Sequence, residues 1–141
     1  MPIHSVARRA SARPGEQHRA HFDTQWVWPS IAVISICGEL DASNAPDLPI
    51  CGQNARASGQ LVLDMSGVEF FGACCFAGLH TLNVHCAGDN IDWVLIPSTA
   101  VARVVDICDP AHALPVSGDL PAALSKLRNH PRQLQLVNPG R

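Results

Sequence analysis

The stretch that decides the fold runs from residue 61 to residue 76 and reads LVLDMSGVEFFGACCF. Four of its first five residues are apolar, which favours a buried strand. From Cys75 onward, apolar side chains recur at i, i+4, i+7 and i+11, the spacing of one helix face. These positions are Cys75, Leu79, Leu82 and Cys86. The stretch therefore predicts a strand, a short loop and a helix in succession.

The rest of the chain alternates between strand and helix patterns in the same way. Further strands are predicted at Phe22–Val27, Ile31–Cys37, Ile91–Ile96 and Leu114–Val116. Helices are expected to begin near Ser43 or Asn44, after Pro97-Ser98, and at Asp119, where capping residues stand. Strands that alternate with helices predict an α/β domain with a largely parallel sheet, its first two strands antiparallel.

Composition limits the classes of function. The chain has 141 residues, 47% of them hydrophobic, and a formal net charge of −2. This charge argues against electrostatic binding to nucleic acid or to an anionic membrane. No apolar stretch approaches the roughly 20 residues that span a bilayer, and the Arg-containing N-terminus lacks the apolar middle of a signal peptide. We therefore expect a cytoplasmic protein with a flexible tail at 1–20, one domain at 21–128 and a loose tail at 129–141.

The six cysteines do not form a recognised motif. Free thiols are the default for a cytoplasmic chain. No pair has the Cys-x-x-Cys spacing of a zinc site or a dithiol oxidoreductase, and the histidines near Cys86 have no metal-ligand spacing. We expect neither a metal nor another cofactor.

Two segments together resemble the surface loops of STAS domains, in particular those of the bacterial anti-sigma factor antagonists. The first reads Gly38-Glu39-Leu40-Asp41 and the second is the run from Gly67 to Phe76. The resemblance spans residues 22–128. It implies a single STAS-like domain, with a mixed, mostly parallel sheet of about five strands and about four flanking helices.

The resemblance also implies a function and a site. Members of the family are not enzymes; they bind an anti-sigma factor, typically a kinase-like ATP-binding protein, and so release a sigma factor for transcription. The binding surface is formed by two loops. The matching residues here are Asp41, Ser43 and Asn44 in the first loop, and Gly72, Ala73, Cys74, Cys75 and Phe76 in the second.

The second loop departs from the family pattern, which usually reads Asp-Ser-Ser-Gly with phosphorylation of the first serine. Here the four positions read Gly72-Ala73-Cys74-Cys75. Ala73 therefore occupies the phosphoacceptor position without a hydroxyl. This departure predicts an antagonist that is not switched off by phosphorylation at this position. The nearby Ser43 and Ser66 are interpreted as cap or turn residues.

The thiols suggest another form of control. Cys74 and Cys75 lie at a predicted helix start, where the helix dipole lowers a thiol pKa, and Cys108 ends the next helix. Cys75 shares the apolar stripe with Leu79 and is expected to be buried and inert, whereas Cys74 lies one residue off this stripe and closer to the binding surface. One hypothesis is that Cys74 or Cys75 forms a disulfide with Cys108 under oxidation. The alternative is that these cysteines only fill space, since free cysteine is often buried.

Two other functions remain open from the sequence. Cys74 could act as the nucleophile of a thiol-based enzyme, although no base can be assigned to it. The chain could also be a scaffold in a signalling assembly. Trp26 and Trp28 share one strand face, where they could cover the sheet edge or mark a homodimer contact, whereas Trp93 is expected in the core.

Overall fold

A computed structural model describes residues 4–7, 19–27 and 30–129 of the chain. One sheet of five strands, numbered in chain order, forms its centre. The strands are His4–Ala7 (β1), His21–Val27 (β2), Ile31–Leu40 (β3), Gln60–Phe71 (β4) and Asp92–Pro97 (β5). Their order across the sheet equals their order in the chain. β1, β2 and β3 pair antiparallel, and β3, β4 and β5 pair parallel, which confirms the predicted mixed sheet.

Four α-helices flank the sheet, in agreement with the predicted number. They are Asp47–Asn54 (α1), Phe76–Gly88 (α2), Thr99–Cys108 (α3) and Leu120–Asn129 (α4), and a 3₁₀ turn at Ala73–Cys75 leads into α2. The helix start predicted after Pro97-Ser98 and the predicted cap at Asp119 are confirmed. Ser98 Oγ accepts a hydrogen bond from the Val101 N–H at 3.1 Å, and Asp119 Oδ1 accepts one from the Ala122 N–H at 2.8 Å.

Helices cover both faces of the sheet, and successive side chains of β3 enter the core on one face and then the core on the other. Ile34 and Ile36 join a core covered by α1, α2 and α3, whereas Ile31 and Val33 join a second core under α4. Since successive side chains of a strand point to opposite faces, a continuous apolar strand is the pattern that such a sheet requires. The predicted stripe of α2 from Cys75 to Cys86 is buried as expected.

Three elements differ from the sequence predictions. His4–Ala7, within the predicted flexible tail, pairs with β2 as an edge strand. The predicted strand Leu114–Val116 is wrong: only an isolated bridge joins Val116 to Leu95. Pro115 has no N–H to donate to a ladder, although its carbonyl accepts from the Leu95 N–H at 2.7 Å.

The start of α1 also differs from the prediction. The helix begins at Asp47 with Pro46 as its N-terminal flanking residue, so neither Ser43 nor Asn44 caps it. Pro49 is tolerated because it lies in the first turn, where a backbone N–H has no partner within the helix.

Some predictions fall outside the described residues. They concern the rest of the N-terminal tail, residues 130–141 of the C-terminal tail, and Trp28. Within the described ranges, no helix combines the length and the apolar character needed to cross a membrane.

Candidate functional site

Two loops emerge side by side from the ends of adjacent parallel strands. Loop 1 (residues 41–46) follows β3 and loop 2 (residues 72–75) follows β4. The last residues of these strands, Leu40 and Phe71, are paired in register, and the Gly72 N–H donates to the Leu40 carbonyl at 3.0 Å. The sheet therefore brings together the two segments that the sequence predicted to form one surface. The carboxyl ends of parallel strands are a common place for binding sites in α/β folds.

Loop 1 is held in its turn by its own polar side chains. The Ser43 hydroxyl and the Ser43 N–H both donate to Asp41 Oδ1, at 2.6 and 2.9 Å. Asn44 Oδ1 accepts from the Asp41 N–H at 2.9 Å, and the Asn44 amide donates to the Glu39 carbonyl at 3.0 Å. Such local bonds are what Asp, Ser and Asn supply in turns. These bonds engage the side chains of Ser43 and Asn44, which the sequence predicted as N-caps of α1.

The carboxylate of Asp41 is stabilised in its charged form. The hydroxyl and then the N–H of Ser43, with a smaller contribution from the positive charge of Arg19, hold the pKa of Asp41 below its usual range. Asp41 and Ser43 are both exposed. Loop 1 therefore presents a fixed negative charge and a hydroxyl to the solvent at neutral pH.

Loop 2 alternates between exposed and buried side chains. Ala73 and Cys74 are exposed, Gly72 and Phe76 are half-buried, and Cys75 is fully buried. Phe76 packs against the core, so its ring is only partly available to a partner. Of the predicted loop 2 residues, Ala73 and Cys74 are thus the ones that the fold presents most openly.

The same face contains an aromatic residue that the sequence analysis did not select. Phe70, near the end of β4, is 51% exposed. Its ring lies close to loop 2, since a methyl group placed on Gly72 would be 3.7 Å from Phe70 Cε2 and 3.5 Å from Cys74 Sγ. The sequence pattern alone cannot tell which of the two adjacent phenylalanines is exposed; in the structure Phe71 is buried and Phe70 is not. Phe70 therefore adds an exposed apolar side chain beside loop 2.

A glycine in α2 fixes the distance between loop 1 and the helix. A methyl group on Gly78 would lie 3.0 Å from the Ala45 carbonyl oxygen and 3.1 Å from Leu48 Cδ1. Both distances are shorter than an ordinary van der Waals contact of a methyl carbon. The absence of a side chain at Gly78 therefore allows loop 1 and the start of α1 to pack directly against α2.

The six cysteines are free and divide into two sets by exposure. The exposed thiols are Cys37, Cys74 and Cys108, and the buried thiols are Cys51, Cys75 and Cys86. Burial is the main cause that raises the pKa of Cys75 to about 11, and that of Cys51 and of Cys86 to about 12. Cys75 is therefore buried and unreactive, as its place on the apolar stripe of α2 predicts. Desolvation outweighs the helix dipole at a side chain with no access to water.

Cys108, the third predicted redox residue, is exposed at the last position of α3. The adjacent Asp109 is stabilised as an anion chiefly by the N–H groups of Leu114 and Ala113, which hold its pKa below the usual range. Helix α3 packs against α2, the helix that follows loop 2.

Arg19 was also missed, because it falls in the segment predicted as a flexible tail. Its Nη1 donates to Ser43 Oγ at 3.0 Å. No periodic pattern marks this arginine, so only the tertiary structure reveals its position. Ser66, by contrast, behaves as predicted for a turn residue, since its N–H and hydroxyl both donate to Asp64 Oδ1.

Other candidate roles find their place in the fold. Trp26 is half-buried and packs against the core on the strand next to the edge, and Trp93 is buried and donates to Asn83 Oδ1 at 2.9 Å. Among the described His, Cys, Asp and Glu side chains, no three are grouped so that they could hold a metal ion.

Comparison with known proteins identifies relatives of this chain. The anti-sigma-F factor antagonist RsfA of Mycobacterium tuberculosis is 32% identical over 101 residues, which span 68% of this chain and 79% of the relative. No protein-family model matches the chain. The chain belongs to the family of anti-sigma factor antagonists, as the identity and coverage with RsfA show.

Solved structures show the same architecture. An anti-sigma factor antagonist from Mycobacterium paratuberculosis superposes with a TM-score of 0.68 at 22% identity, over 79% of this chain and 97% of that chain. SpoIIAA, an anti-sigma factor antagonist solved in its unphosphorylated form, gives a TM-score of 0.62 at 16% identity, over 77% and 97% of the two chains. The predicted STAS fold is confirmed.

Proposed function

We propose that this protein is a non-catalytic, cytoplasmic antagonist that binds a kinase-like anti-sigma factor through loops 1 and 2 and thereby releases a sigma factor. The observation that carries the proposal is the hydrogen bond from the Gly72 N–H in loop 2 to the carbonyl of Leu40, the residue that precedes loop 1. This bond makes one continuous face from two segments that lie apart in the sequence. Membership of the antagonist family supports the same kind of partner.

The face has the features of a protein-binding surface. Asp41 supplies an exposed, fixed charge, and Phe70 supplies an exposed aromatic ring. A charge that is already held in place and an accessible aromatic side chain are features that protein interfaces use for specificity and affinity. The buried thiol of Cys75 has a pKa raised to about 11, so it is not a candidate nucleophile, because the thiolate is the nucleophilic form. A thiol-based enzyme would have to use the exposed Cys74.

The antagonist is competent without a change in phosphorylation at loop 2. Ala73 is exposed at the start of the 3₁₀ turn and has no hydroxyl to accept a phosphate. A phosphate would add about 1.5 to 2 negative charges at this point. Since this modification has no acceptor at Ala73, docking is governed by the supply of the protein or by another signal.

The test is capture of the partner with a matched pair of charge reversals. Wild type, Asp41→Arg and Asp89→Arg are immobilised and exposed to lysate of the bacterium from which the chain derives. Asp89 follows the far end of α2 and pairs with Arg56 on the surface, so it serves as the control. We expect wild type and Asp89→Arg to retain an anti-sigma factor that Asp41→Arg loses. Retention of no anti-sigma factor by wild type would refute the proposal and favour a scaffold role.

For control by oxidation, we propose a disulfide between Cys74 and Cys108, in which two thiols lose two protons and two electrons to an oxidant such as peroxide. The exposure of both residues supports this pair, whereas the complete burial of Cys75 removes it as the first site of attack. The packing of α3 against α2 also supports the proposal, because α3 ends at Cys108 and α2 follows loop 2.

Peptide mapping under non-reducing conditions tests this proposal. After mild peroxide treatment, we expect a cross-linked peptide containing Cys74 and Cys108, and a weaker capture of the anti-sigma factor. Cys37 is the third exposed thiol and takes no part in the proposed disulfide, so Cys37→Ser should leave both results unchanged. Oxidation that yields no such peptide would exclude the disulfide while leaving the antagonist function intact.

A further inference from the structure

Arg19 connects the segment before β2 to loop 1. Its guanidinium donates to the Ser43 hydroxyl oxygen at 3.0 Å, and that hydroxyl in turn donates to Asp41 at 2.6 Å. The positive charge of Arg19 also contributes to the low pKa of Asp41. A chain of charge-assisted hydrogen bonds therefore runs from Arg19 through Ser43 to Asp41, the central anion of the loop.

The backbone as well as the side chain holds Arg19 in this position. Arg19 forms an isolated parallel bridge with Glu39, at a point where the pairing of β3 with β4 shifts register between Gly38 and Glu39. Gly38 has a φ of +99°, and a methyl group placed on it would lie 2.3 Å from the Arg19 carbonyl oxygen. Glycine is thus required for the Arg19 backbone to pass this close to β3.

The charge pattern around loop 1 gives this contact a role. Asp41 and Asp47 are exposed carboxylates, and Glu39, two residues before Asp41 in the sequence, is half-exposed. Arg19 is the cation that hydrogen-bonds to the loop among the contacts described above. Without it, Ser43 would keep its bond to Asp41 but lose the donor on its other side, and Asp41 would lose the positive charge that helps to lower its pKa.

We propose that Arg19 is a positioning residue for partner binding: it holds Ser43 and Asp41 in the loop 1 conformation that docks on the anti-sigma factor. This inference rests on the proposed function, and it adds the segment before β2 to the determinants of docking. Ordering the loop before the encounter reduces the entropy lost on binding. Arg19 therefore raises affinity without being required for the fold.

The experiment compares Arg19→Ala, Arg19→Lys and the control Arg56→Ala. Arg56 is an exposed arginine in a surface ion pair with Asp89 at 3.1 Å, so it matches Arg19 in type and exposure but not in position. The first measurement uses the free protein: amide hydrogen exchange of Ser43, and the pKa of Asp41 by NMR titration. The second is the affinity for the anti-sigma factor identified by capture.

We expect Arg19→Ala to speed exchange of the Ser43 amide by about two- to five-fold, the range of an exposed charged pair. The Asp41 pKa should rise towards its ordinary value, and affinity should fall by a similar factor. Arg19→Lys, which keeps the charge, should restore part of each effect, and Arg56→Ala should change none of them.

Two results would overturn the proposal. If Arg19→Ala lowers affinity but leaves Ser43 exchange and the Asp41 pKa unchanged, Arg19 contacts the partner directly and does not position the loop. If loop order changes but affinity does not, the contact is structural alone. Failure of wild type to bind any anti-sigma factor would refute the proposed function and with it the docking role, whereas the measurements on the free protein would still decide whether Arg19 orders loop 1.

Discussion

Replacing Gly38 with alanine should destabilise the protein and loosen loop 1 at the same time. Gly38 adopts a left-handed backbone conformation with a φ of +99°. An L-residue with a side chain loses roughly 1–2 kcal/mol in this region. The added methyl carbon would also lie 2.3 Å from the Arg19 carbonyl oxygen and 3.0 Å from its carbonyl carbon. These are backbone atoms, which cannot swing aside as a flexible side chain can.

The expected loss of stability is the sum of the backbone strain and the steric clash. Forcing extra atoms into a closely packed position typically costs about 1–3 kcal/mol. Together with the backbone strain, we expect Gly38→Ala to lower the free energy of unfolding by about 2–5 kcal/mol. If the chain relaxes by moving residues 19 and 20 away from β3, the loss will lie at the lower end, and the hydrogen bond from Arg19 to Ser43 will weaken.

Urea unfolding followed by circular dichroism measures this loss. Gly88→Ala is the control: Gly88 ends α2, and a methyl group there would meet no atom within 4 Å. Alanine is favoured over glycine in helices by up to about 1 kcal/mol, so this variant should be as stable as wild type or more so. A loss below about 1 kcal/mol for Gly38→Ala, with unchanged exchange of the Ser43 amide, would refute the reasoning.

Three further predictions follow from burial and hydrogen bonding. In the folded protein, a thiol reagent should modify the three exposed thiols quickly and the three buried thiols only after unfolding; fast modification of all six would contradict the core packing. Because backbone N–H groups lower the pKa of Asp109, its contribution to stability is complete above its ordinary pKa of 3.8 and is lost as the pH falls through the lower folded-state value. The stability difference between wild type and Asp109→Asn should therefore shrink in acid urea titrations below pH 3.8; a difference independent of pH would contradict this account. Trp93→Phe removes the bond to Asn83 and should cost about 1 kcal/mol in urea unfolding, whereas no change would show that solvent replaces this bond.

The main features of the fold could be predicted from the sequence because burial leaves clear patterns. The apolar run at Ile31–Cys37 identified a strand covered on both faces, and the stripe from Cys75 to Cys86 identified the inner face of α2. The caps at Ser98 and Asp119 were predictable because their side chains bond to their own helices. In each case the signal is local, so it can be seen without knowledge of the tertiary structure.

The errors arise where a contact that the helix or strand pattern does not show decides the structure. His4–Ala7 is a strand through its pairing with β2, and its sequence has no alternating apolar pattern. Ser43 and Asn44 have side chains suited to helix caps, but Asp41 and Glu39 engage them in a turn.

The candidate site was predictable in its location and not in its composition. The resemblance selected the two loops, and the pairing of Leu40 with Phe71 brings these loops together. Arg19 and Phe70 were missed for different reasons. Arg19 reaches loop 1 from a segment without a helical or strand pattern, and Phe70 cannot be distinguished from the buried Phe71 by sequence pattern alone.

The most direct test of the central claim is release of a sigma factor from its complex with the purified anti-sigma factor. Wild type is compared with Ala73→Glu, which places a negative charge at the phosphoacceptor position, and with Ala87→Glu, an exposed change near the other end of α2. The account predicts that unmodified wild type and Ala87→Glu release the sigma factor, and that Ala73→Glu does so at least about ten-fold less effectively, a difference of 1.4 kcal/mol in binding. No release by wild type, or equal release by wild type and Ala73→Glu, would contradict it.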